Sequence, residues 1–95
     1  MSGRYANKYD PFIAIKMPLE VLESLSRRLT AIERSADTLQ VHLASERAQG
    51  FVEALEVLKV FKPGEIESLY LIMDDADQAR VTALGLGEQR NRKCT

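Results

Sequence analysis

Tryptophan is missing from this chain, and cysteine occurs once, as Cys94 beside the end of the sequence. One thiol makes no intramolecular disulfide, so the core has to be held by packing alone, and a reducing, cytoplasmic compartment is expected. Long apolar runs are also missing. The richest stretch, Leu69–Met73, is broken by the amphipathic Tyr70 and falls far short of the ~20 residues needed to span a bilayer, so no membrane partner is expected. The opening MSGRYANKYDPF has no apolar core segment and does not read as a secretory signal. Strong charge of either sign is lacking: 13 Lys+Arg stand against 14 Asp+Glu, for a net charge of -1. That balance disfavours a dedicated nucleic-acid coat or a polybasic membrane binder.

Chemical motifs are equally sparse. No glycine-rich phosphate loop, nucleophile elbow or Cys/His zinc spacing occurs. His42 and Glu46 have the i, i+4 spacing of two metal ligands, but a third ligand and a second histidine are missing. Asp74, Asp75 and Asp77 lack the glycine and distal glutamate of a calcium loop, and fit a solvated acidic helix face. Two Glu-x-x-Glu turns, Glu20/Glu23 and Glu53/Glu56, resemble the Mg²⁺-binding turns of all-α nucleotide hydrolases, but no base has a recognisable partner. The expectation is therefore a non-catalytic protein with no cofactor and no metal.

What the sequence does contain is helical periodicity. With 45% hydrophobic and 28% charged residues the chain is globular in composition, and its 95 residues suit one domain with a modest core. Leu22, Leu25, Leu29, Ile32, Ala36, Leu39 and Leu43 are spaced alternately three and four apart, as in a heptad seam packed lengthwise on another helix. Thr30 with Glu33, and Asp37 with Gln40, mimic capping boxes inside this run. The unbroken seam outweighs them and predicts one long helix from about Leu19 to Ser45, started by Pro18.

The seam loses phase at residues 45–50, where Gly50 weakens a helix interior by about 1 kcal/mol, so a turn or kink is expected there. A second helix over about 48–61 is apolar around most of its circumference, with Phe51, Leu55 and Leu58 among its inward residues. Pro63-Gly64 ends it. A third helix over 65–84 carries the stripe Ile66, Leu69, Tyr70, Met73 and Ala76, and Gly85 suits its left-handed C-terminal stop.

The fold class expected is thus all-α: a small bundle or hairpin over residues 18–86 whose first helix is long, an extended N-terminal arm (1–17) and a disordered tail (87–95). Charge follows the same division: residues 1–17 are basic through Arg4, Lys8 and Lys16, residues 63–84 acidic, and the tail basic again. The seam residues Leu22, Leu25, Leu29, Ile32, Ala36, Leu39 and Leu43, with Phe51, Leu55 and Leu58, are the candidate interface. They predict a homodimer, because so short a monomer has few helices with which to cover them. Another protein, met by the helical surface or by Tyr5, Tyr9 and Phe12 of the arm, is the expected partner.

Residues 12–17, Phe-Ile-Ala-Ile-Lys-Met, alternate as a short strand does, and Pro18 and an amphipathic helix follow. This stretch resembles the opening of the ribbon-helix-helix repressors. The resemblance implies a strand paired with that of a dimer mate, with Phe12, Ala14 and Lys16 turned toward the DNA major groove. The chain departs from that pattern in two ways. The seam runs on where the first helix should end within about three turns at a bend, and Phe12 and Ala14 are poor base readers.

Overall fold

The computed structural model describes the backbone of residues 10–93 and the side chains of residues 10–85. Three α-helices, α1 (Leu19–Glu33), α2 (Thr38–Val57) and α3 (Pro63–Lys93), follow a single 3-10 turn at Asp10–Phe12, and no strand occurs among the described residues. Each helix packs on the other two. The fold is all-α as expected, but its first helix is the shortest of the three.

The long helix expected over Leu19–Ser45 is broken at residues 34–37. Asp37 takes an extended conformation (φ -150, ψ 172) and its carboxylate accepts from the backbone N–H of Gln40 at 2.8 Å. The Gln40 side chain reaches back and accepts from the N–H of Ala36 at 3.0 Å. Two donors that a helix start leaves bare are thus satisfied together. At the other side of the link, Ser35 Oγ donates to the Ala31 carbonyl at 2.8 Å. The capping box discounted on the strength of the seam decides the topology.

The break rephases the core. α1 buries Leu25, Leu29 and Ile32, as its seam requires. α2 buries Val41, Ser45, Ala48, Val52 and Leu55, a second heptad series two residues out of step with Leu39 and Leu43. α2 then runs straight through Gly50, around which a Cβ would meet nothing within 4 Å, so the turn expected at 45–50 is absent.

α2 stops at Val57, four residues before the end expected. The N–H of Lys59 donates to Glu56 and that of Val60 to Leu55, the paired bonds of a Schellman stop, with Lys59 at φ 57 where glycine is usual. Lys62 opens α3. Its N–H donates to the Glu65 carboxylate at 2.9 Å, and Pro63 fills the first helical position instead of merely ending α2. Ile66, Leu69, Met73 and Ala76 are buried as the stripe implies. Gly85 is not a stop: among the described residues no glycine has positive φ, and α3 continues to Lys93.

The arm is not wholly an arm. Phe12 is 1% exposed and belongs to the core, with Ile15 and Met17 packed against it from the segment before α1. The strand expected over 12–17 is replaced by turns, the N–H of Ile13 donating to Asp10 and that of Ile15 to Phe12. Tyr5 and Tyr9 lie outside the described residues, as does Cys94.

Candidate binding surface

The ten candidate interface residues fall into two groups. Leu25, Leu29, Ile32 and Leu55 lie in the chain's own core, with Leu22 and Phe51 half-buried against it. Leu39, Leu43 and Leu58 are exposed, at 68%, 47% and 72%, and Ala36 is exposed in the α1–α2 link. The break at residues 34–37 causes the division: it turns the second half of the seam outward while the first half stays in.

Besides Ile13, Leu19 and Leu71, the large exposed apolar side chains among the described residues lie at the two ends of α2. Leu39 and Leu43 lie one turn apart on its first half. At its far end, Val57 (71% exposed) and Leu58 stand beside Val60 in the turn to α3. The two groups lie some 27 Å apart along the helix, at about 1.5 Å per residue.

Beside Leu43 a groove runs between α1 and α2. Two adjoining cavities of ≈ 190 and ≈ 240 Å³ share Ala31, Ala44 and Arg47. Arg27 and Arg28 line the first, and Ser35, Gln40 and Leu43 the second. Along the groove α1 is passed from Ser35 back to Arg27 as α2 advances from Gln40 to Arg47, so the two helices run in opposite directions there. The Arg28 guanidinium lies over the Phe51 ring with Cζ 4.7 Å from its centroid, and its Nε is buried without a hydrogen-bond partner. Stacking of this kind fixes the plane of the cation while its edge stays available.

Nothing in the sequence marks these three arginines as a group. Arg47 joins Arg27 and Arg28 because the chain reverses at residues 34–37, which a continuous helix forbids.

The residues singled out for metal chemistry do not converge. Among the described residues no group of three His, Cys, Asp or Glu is placed to hold an ion. Asp74 accepts from Gln78 Nε2 at 3.0 Å, and Glu56 is engaged by the Tyr70 hydroxyl at 3.3 Å. His42 and Glu46 are exposed. The Tyr70 phenol is held above the usual tyrosine pKa, by desolvation first and then by the charge and hydrogen bond of Glu56 and the charge of Glu53. Among the described residues no helix is long and apolar enough to cross a membrane.

Comparison with protein-family models, with curated proteins and with solved structures found no match for this chain.

Proposed function

We propose that this chain is a small, non-catalytic binding protein of the cytoplasm, a self-associating regulator or adaptor that works through its helical surface. The observation that carries this reading is the corner of Val57, Leu58 and Val60, left exposed although the core beneath is complete. A turn needs no apolar side chains, and clustered ones on a small domain mark a contact surface.

Burying what is exposed of these three side chains contributes about 4 kcal/mol per copy, or about 8 for a two-fold pair. Association costs roughly 4–15 kcal/mol. Even at the lowest cost the corner alone leaves a net of about 4 kcal/mol, a Kd of about 1 mM, and so supports a weak dimer, not a permanent one. Sedimentation equilibrium tests this: the wild type should dimerise as its concentration approaches about 1 mM, and V57D/L58D should be a folded monomer. A wild type that stays monomeric up to about 1 mM, the Kd matching only ~4 kcal/mol, overturns the reading.

A ribbon-helix-helix regulator is the second reading, and one observation favours it. α1 ends after 15 residues, just over four turns, at a capped link, which narrows the departure that counted against the resemblance. Ile15 and Met17 turn inward while Ala14 and Lys16 turn out. Against it, residues 12–17 form turns and no strand, and Phe12 is buried where a base reader should be exposed. Selection from fragmented host DNA at ~150 mM salt separates the two. An enriched sequence bound near 10⁻⁸ M and lost on Lys16→Ala would put the DNA-binding reading first, because sequence-blind contacts fade with salt.

A further inference from the structure

We propose that the groove between α1 and α2 docks an acidic amphipathic helix of a partner protein, its carboxylates meeting Arg27, Arg28 and Arg47 and an apolar residue seated on Leu43. This rests on the binding reading above and names the chemistry of what is bound.

Charge is the first ground. Three arginines line one groove of a chain whose net charge is -1, and among the described residues no aspartate or glutamate lines either cavity. The concentration of positive charge is local, and the chain's own acids do not answer it there. Arg28 is already ordered for a ligand, because Phe51 holds its guanidinium in place. A carboxylate at the outer edge of such a fork makes charge-assisted bonds without first having to order it.

Shape is the second ground. Ala31 and Ala44 share both cavities, so between the arginines the floor is formed by single methyl groups. Small side chains on neighbouring helices leave room for the ridge of a third. From Arg27 to Ser35 the groove runs for about 12 Å, or two turns of helix, at 1.5 Å per residue. Leu39 and Leu43 continue an apolar strip along its α2 edge. Arginine around an apolar strip suits a helix that alternates glutamate with leucine.

A nucleic acid fits less well. Its phosphates extend the negative charge far beyond the groove, and α3 of the same small domain carries Glu65, Glu67, Asp74, Asp75 and Asp77. The apolar floor gives phosphates nothing to bond.

The test uses the full chain and a labelled peptide of roughly 20 residues, long enough to hold a helix, with glutamates flanking a leucine stripe. Its Glu→Gln counterpart, its Glu→Lys counterpart and a short DNA duplex serve as controls. The acidic peptide should bind in the micromolar range, and the Gln peptide at least tenfold more weakly, a difference of about 1.4 kcal/mol. R27E/R47E should lose the acidic peptide and gain the Lys peptide, while R27Q/R47Q should bind both weakly. Arg27 and Arg47 are exposed, so both double variants should keep the wild-type circular dichroism. Equal binding of the acidic and Gln peptides, tighter binding of DNA than of peptide at ~150 mM salt, or no binding up to about 1 mM would overturn the proposal. A wild type that dimerises yet ignores the acidic peptide removes the groove alone, whereas a strict monomer removes the reading beneath it.

Discussion

The Nε of Arg80 donates to the carbonyl oxygen of Ser35 at 2.8 Å, joining α3 to the link between α1 and α2 across 45 residues. Ser35 is buried and its carbonyl lies beyond the last bonded turn of α1, so a charged donor from another helix replaces the missing intrahelical one. Hydrogen bonds to charged groups contribute about 1.5–3 kcal/mol. Arg80→Met keeps most of the aliphatic packing and should cost that amount, read as a fall in urea midpoint with the slope unchanged. A loss under 0.5 kcal/mol would show that water replaces Arg80 at no cost.

Asp37 supplies the cap on which the reversal turns. Asp37→Ala should destabilise the fold by about 0.5–2 kcal/mol, while Asp37→Asn, which keeps an acceptor, should recover most of it. Thermal melts of the two variants side by side make the comparison. Equal losses would mean that the carboxylate charge, not the hydrogen bond to Gln40, is what matters.

This residue also explains what was legible in the sequence. The helical class, the buried face of α1 and the stripe of α3 follow from periodicity alone, because large apolar residues mark every turn there. The reversal was written in the sequence too, as Asp-x-x-Gln, but Leu39 and Leu43 continue the phase of Ile32 and mask it. The true phase of α2 passes through Ser45 and Ala48, whose small or polar side chains do not announce a core. The end of α2 was hidden by a different substitution, a lysine where the stop motif favours glycine. As for the surface, exposed leucines were named for an interface, whereas the arginine groove exists only once the chain has folded back.

Lys59 holds a left-handed conformation at φ 57. That geometry costs an L-residue roughly 1–2 kcal/mol, and glycine avoids it while losing about 0.5–1 kcal/mol more chain entropy on folding. Lys59→Gly should therefore raise stability by roughly 0.5–1 kcal/mol, and Lys59→Ala should not. Should both variants melt alike, relief of strain is not the cause.

The hydroxyls of Ser26 and Ser45 are buried and have no hydrogen-bond partner among the described residues. Leaving such a group unbonded costs about 1–3 kcal/mol, and alanine fills nearly the same space with a better helix propensity. Ser26→Ala and Ser45→Ala should each raise the melting temperature by several degrees. A drop in either would reveal that its hydroxyl is hydrogen-bonded in solution.

Tyr70 ties α3 to α2 through Glu56, and its raised pKa means that the folded state favours the neutral phenol. The stability linked to this group is fully present below the unfolded value, about 10, and is lost as pH rises through the folded value. Alkaline unfolding should thus steepen above pH ~10. The phenolate absorbance assigned by difference from Tyr70→Phe should have its midpoint above that of free tyrosine, and Glu56→Gln should lower it. An unchanged midpoint in Glu56→Gln would assign the shift to desolvation and the charge of Glu53.

The short links at residues 34–37 and 58–62 also govern the order in which the molecule assembles. α1 and α2 are each followed within a few residues by a helix that they pack on, and proteins built from such near-neighbour contacts fold in microseconds to milliseconds. During synthesis α1 and α2 emerge together and can pair as a hairpin before α3 has left the ribosome. We expect that hairpin to wait with Leu25, Ile32 and Val52 uncovered until Leu69 and Met73 arrive. The interval before α3 docks is then when the chain is most exposed to chaperones and to mispairing with another nascent copy.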